Sequence, residues 1–173
     1  PLIVGIYIGA FVIISYTTLS GLRGTAITNI IHCSVVVLGL ALVAFVVMQQ
    51  MGGWSNVVDK ADLALADAGV DQASWWSFVG MGWIPVIAMF FSATVHTPAA
   101  SVYANYSTSA RRESMLIPAF LLAGVIAAAM PFLSGIIGIE AVARYGVDSS
   151  IRSYASITQV ATDAGPLIGG VAL

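Results

Sequence analysis

The polar and apolar positions alternate in long blocks rather than at helical or strand period. Charge-free apolar windows mark expected helical spans at 1–16, 25–48, 78–104 and 114–139, with a fifth starting near Pro166 and cut off at 173. Spans 25–48 and 114–139 reach the ~20 residues that a bilayer's hydrocarbon core requires. The longest run without Lys, Arg, Asp or Glu extends from Gln72 to Ala110. As one straight helix it would be roughly 58 Å long, about twice the hydrocarbon thickness. Gly80, Gly82, Pro85 and Pro98 offer places to break it, and Ser92, Thr94, His96 and Thr97 put polar groups inside it. A broken, polar-lined apolar helix is a common construction of a transporter binding site.

Composition agrees with that pattern. The chain is 59% hydrophobic and 8% charged, with a mean hydropathy of +0.96. Soluble domains carry about 25% charged residues. The expected class is therefore an all-α, multi-pass membrane protein in the plasma membrane, its surroundings a lipid bilayer. A net charge of -2 without a basic patch argues against nucleic acid. Cys33, the single cysteine, forms no intrachain disulfide and reads as a small buried side chain. Pro1 and Leu173 each lie inside an apolar run, so the chain is expected to be an internal piece of a longer protein, a single membrane domain over 1–173.

Four connections separate the spans. The short ones, 15–24 with Arg23 and 105–113 with Arg111 and Arg112, hold basic residues against helix ends, which places them in the cytoplasm. The longer acidic ones, 49–75 and 140–164, then face outside. In the first of these, Gly52 and Gly53 signal a turn before a short helix-compatible stretch. In the second, Asp163 to Pro166 reads as a helix end or turn.

Candidate chemistry is sparse. Thr25, Thr28, Asn29 and His32 recur at i, i+3, i+4 and i+7 and share one helix face. Their oxygens suit a hard cation such as sodium, or they hydrogen-bond to neighbouring helices and interfacial water. His96 lies mid-span with Ser92 one turn before it and Tyr103 about two turns after it. It either lines a solute path or packs as a hydrogen-bonded histidine. A metal site is not expected from two histidines without a carboxylate or thiolate cluster, and no cofactor is implied. There is no HExxH, no GxSxG and no paired intramembrane acid, so an enzyme is not expected. Gly5 with Gly9, and Gly165 with Gly169, have the spacing of close helix packing. The sequon at Asn105 falls on the cytoplasmic side and is discounted.

Several stretches resemble one family. YTTLSGLRGTAITNIIH, residues 16–32, resembles the pattern Y-T-x-x-G-G-L-x-A-V-x-x-T-D-x-x-Q of sodium/solute symporters. GGWSNVVDKA is similar to that family's turn after the same helix. Met81-Gly82-Trp83, Thr97-Pro98 and the stretch from Ala110 to Met115 look like its sodium/proline branch. SITQVATDAGPLIGGVAL resembles the short extracellular helix and the next span.

The resemblance implies a LeuT-like core of two inverted five-helix repeats, of which this chain holds the fourth helix in part, the fifth to the seventh, and the start of the eighth. It implies symport of a small organic solute, such as an amino acid or carboxylate, coupled to sodium or a proton. Trp83, Ser92, His96, Thr97, Pro98 and Tyr103 would line the solute path, and Thr25, Thr28, Asn29 and His32 the ion path. Four positions depart from the family pattern. Asn29 replaces an Asp, His32 a Gln, Tyr103 an Arg, and Ser20-Gly21 a Gly-Gly pair. Losing the Asp removes a charge from the ion path, and an imidazole, unlike an amide, can take up a proton. Altered ion dependence is the implied consequence. The rival expectation is a symporter-derived scaffold that binds another membrane protein and transports nothing.

Overall fold

The computed structural model describes residues 2–99, 108, 110, 112–147 and 155–172. Every regular element among them is helical. α1 is Leu2–Gln50, α2 Trp54–Asp67, α3 Gln72–Trp75 and α4 Trp83–Ala99. A 3-10 turn at Glu113–Met115 leads into α5, Leu116–Tyr145, followed by α6, Ser156–Ala164, and α7, Pro166–Ala172.

Among the described residues, three stretches are long and apolar enough to cross a membrane: Ile3–Gly21, Arg23–Gln50 and Glu113–Tyr145. The expected spans 25–48 and 114–139 fall inside the second and third. No open loop separates the first two. The chain stays helical through 15–24, and only Gly21 departs, with φ 60 and ψ -158. Polar side chains there do not end the helix because their hydroxyls bond back to it: Thr17 Oγ1 donates to the Ile13 carbonyl at 2.7 Å.

The expected third span is shorter than the pattern suggests. Residues 77–82 turn, with Gly80 N–H on the Ser77 carbonyl and Gly82 N–H on that of Val79. Helix α4 begins only at Trp83 and has 17 residues, a length of about 26 Å, just under a ~30 Å hydrocarbon core. Over its described length it is unbroken. Pro85 sits in the first turn, where a missing N–H has no partner to lose, and Pro98 lies in the last. Residues 100–104 of the expected span lie outside the described residues. At the other end, α5 runs on to Tyr145, so 140–145 is helix rather than loop. Pro131 lies inside it and leaves the Ala127 carbonyl without its usual N–H.

The packed core gathers at the Gln50 end of α1. Leu40, Val43, Ala44 and Val47 repeat at i, i+3, i+4 and i+7 and meet Ile137 and Ala141 of α5 and Val160, Ala161 and Ala164 of α6. α2 is amphipathic and buries Val57, Ala61 and Leu65, and it packs on α5. Two glycines at positive φ, Gly52 at 89 and Gly53 at 101, turn the chain from α1 into α2. α3 is tied to α2 by Trp76, whose Nε1 donates to Asp62 Oδ1 at 2.7 Å. α6 ends at Ala164 and α7 starts at Pro166, as the Asp163–Pro166 signal predicts.

Away from this end the apolar surface is open. Ile3–Gly21 has nothing buried inside the molecule, and Ile84, Phe90 and Phe91 of α4 are exposed. Helices apolar on all sides with nothing packed on them belong in a membrane or against other apolar helices.

Candidate functional site

Thr25, Thr28, Asn29 and His32 all lie on α1 just beyond the Gly21 break. Thr25 Oγ1 donates to the Gly21 carbonyl at 3.1 Å, and Thr28 Oγ1 to the Gly24 carbonyl at 2.9 Å. Each hydroxyl proton is thus committed to the helix, while both lone pairs of the oxygen stay free to accept. Thr25 is half-buried, while Thr28, Asn29 and His32 are exposed. The face is therefore a row of polar side chains, with oxygen and nitrogen atoms, on one helix adjoining a helix break. No group of three or more His, Cys, Asp or Glu forms a metal site among the described residues.

The solute-path candidates are brought together less completely. Ser92 and His96 sit one turn apart on α4 and are both exposed. Trp83 is nine residues before Ser92, about two and a half turns, so the two occupy opposite faces of the helix. Thr97 and Pro98 continue the same helix in its last turn. Tyr103 lies outside the described residues. No other described element packs extensively on α4. Among the described residues its polar side chains thus share one helix, with no other element packed extensively over them.

A cavity of about 740 Å³ lies elsewhere, between α1, α2 and α5. Ala44, Met48, Trp54, Phe132, Ile136 and Ile139 are among its walls. Of the ten residues picked from the sequence, none of the seven with described side chains lines it. Its chemistry suits an apolar group.

Two features escape sequence reasoning. The first is a polar clasp joining α1, α5 and α6. Tyr145 Oη donates to Asp163 Oδ2, and Arg144 Nε stands 3.9 Å from the same oxygen. Gln159 Nε2 donates to Asp163 Oδ1 at 3.2 Å. Arg144 Nη1 also reaches Gln50 Oε1 at 3.4 Å, and Gln50 Nε2 reaches the Ala164 carbonyl at 3.4 Å. Replacing Asp163 with alanine removes the acceptor of three groups at once. We expect a loss of about 1–2 kcal/mol, kept small by the exposure of the ion pair, read as a lowered melting temperature in detergent. Asp163→Asn, which keeps an acceptor for Tyr145, should lose less.

The second is Glu140. The charge pattern places it in an outward-facing acidic loop. Instead it lies within α5, fully buried, with neither carboxyl oxygen hydrogen-bonded. The helix outruns the apolar window by six residues, so an acid that in sequence marks a loop is enclosed by packing.

No family model, curated protein or solved structure matches this chain.

Proposed function

We propose that this chain is the central part of a sodium/solute symporter of the plasma membrane. The observation that carries the reading is the ligand row from Thr25 to His32, set on an apolar helix directly after the break at Gly21. Interrupted membrane helices free backbone carbonyls and place polar groups at depth, which is how secondary transporters hold coupling ions. On this reading Thr25, Thr28, Asn29 and His32 contact the coupling ion, sodium or a proton. Ser92 and His96 face the solute, a small organic molecule such as an amino acid or carboxylate. The fold is the LeuT-like inverted repeat, and solute crosses by alternating access. Cation binding favours one state and solute binding the next, since each ligand must discriminate between states to move the protein.

Ligand-dependent melting tests the reading. A transporter gains stability from its own cation and solute, about 2.7 kcal/mol when a ligand stands at a hundredfold excess over its Kd. Melting curves in detergent, with sodium and a panel of amino acids and carboxylates, should reveal that gain. A protein stabilised only by another membrane protein would instead be the non-transporting scaffold. Asn29→Asp then tests the ion path. A carboxylate in place of the amide should lower the half-maximal sodium concentration about tenfold, the ~1.4 kcal/mol by which a charged ligand outdoes a neutral one. Unchanged sodium dependence would remove Asn29 from the ion path.

A further inference from the structure

Glu140 is the one fully buried charged residue among those described, and both its oxygens lack a hydrogen-bond partner there. Natural structures rarely leave a buried polar group unpaired, and a buried acid in an apolar helix is by default a functional group. Its neighbours on α5, Ile137 and Ala141, belong to the apolar core. The elements packed on α5 are α1, α2, α6 and the 3-10 turn.

The charges on those elements are all engaged elsewhere or exposed. From residue 34 to Gln50, α1 carries no ionisable side chain. α2 turns Val57, Ala61 and Leu65 inward. Its Asp59, Lys60 and Asp67 are exposed, and its half-buried Asp62 accepts from Trp76. The α6 carboxylate, Asp163, is held by Tyr145 and Gln159 and stands beside Arg144. Arg144 itself, one turn after Glu140, is drawn to Asp163 and Gln50. Glu113 in the 3-10 turn is exposed at the far end of α5. No described side chain therefore supplies Glu140 with a counter-charge.

We propose that Glu140 is a proton-binding site at the junction of α5 with α1, α2 and α6, and that its protonation state sets how tightly those helices close over it. The ligand is a proton because a metal cation needs several oxygens around it, whereas a proton needs one. Proton uptake from water forms an O–H bond on one carboxyl oxygen and leaves an uncharged group among apolar neighbours. Releasing the proton leaves a charge that the packing must open to hydrate. The site is separate from the ligand row on α1 and does not rest on the transport reading.

Infrared spectroscopy of the full chain in lipid nanodiscs tests this directly. The chain contains two glutamates, Glu113 and Glu140, so carboxyl-13C glutamate labels only those. The expected result is an isotope-shifted protonated-carboxyl band at neutral pH in the wild type and in Glu113→Gln, lost in Glu140→Gln. Melting temperature should vary with pH in the wild type beyond the variation left in Glu140→Gln. Absence of the band at neutral pH from the wild type and from Glu113→Gln, or its persistence in Glu140→Gln, would overturn the proposal. Its loss on adding sodium at fixed pH would overturn the proton as ligand and assign the carboxyl to a metal cation. If Glu140→Gln does not fold, Glu113→Gln alone decides, since it leaves Glu140 as the single labelled carboxyl.

Discussion

Ile137→Ala should lower the stability of the purified protein by about 2–5 kcal/mol, the usual cost of emptying a well-packed aliphatic site. Ile137 is fully buried, and the cluster around it draws on three helices: Leu40, Val43, Ala44 and Val47 from α1, Ala141 from α5, and Val160, Ala161 and Ala164 from α6. Part of the cost survives even where lipid replaces water as the surroundings. The hydrophobic transfer gain is lost between helices in a bilayer, but van der Waals contact across the cavity is lost in either solvent. Ile117→Ala is the matched control. That residue lies on the same helix at 74% exposure, and its truncation should change stability by less than about 0.5 kcal/mol. Melting curves of both variants in one detergent make the comparison. Equal losses would mean that the α1–α5–α6 cluster is not where the molecule's stability resides.

The helices were readable because the chain's apolar windows are uniform and long, and a uniform window needs no knowledge of its neighbours. Spans 25–48 and 114–139 were found on that basis, and the Asp163–Pro166 stop is local chemistry as well. The row from Thr25 to His32 was also readable, since helical spacing alone puts four residues on one face. The break between the first two spans was misread as a loop. Serines, threonines and an arginine look like a connection, yet their hydroxyls satisfy carbonyls of the same helix and leave it intact. The clasp had no local signal. Gln50 meets Arg144 across 94 positions and Ala164 across 114, and such pairings follow only from how α1, α5 and α6 pack. Glu140 was hidden for the opposite reason. Charge is the ordinary mark of a helix leaving the membrane, and the one acid enclosed among the described residues looks the same in sequence as those left in water. The polar side chains of α4 share one helix because no other described element packs extensively on it.

Gly21→Ala should destabilise the protein by about 1–3 kcal/mol, and the reason is backbone rather than space. A Cβ at Gly21 would meet nothing within 4 Å. The conformation itself, φ 60 with ψ -158, lies where a side chain collides with its own main chain, a region that only glycine enters freely. Without that break α1 would be one helix of 49 residues, roughly 74 Å long and more than twice the hydrocarbon thickness. The substituted chain therefore either carries the strain or straightens. Straightening moves the Gly21 carbonyl to which Thr25 Oγ1 is bonded, so on the proposed transport reading the row from Thr25 to His32 should lose its cation response along with stability. Gly5→Ala separates this from a general effect of removing glycine. Gly5 is also open around its Cβ and shows no positive φ, and alanine in a helix interior is favoured over glycine by up to about 1 kcal/mol. The two variants should thus move the melting temperature in opposite directions. If they move it together, the break at Gly21 is not held by glycine's conformational freedom.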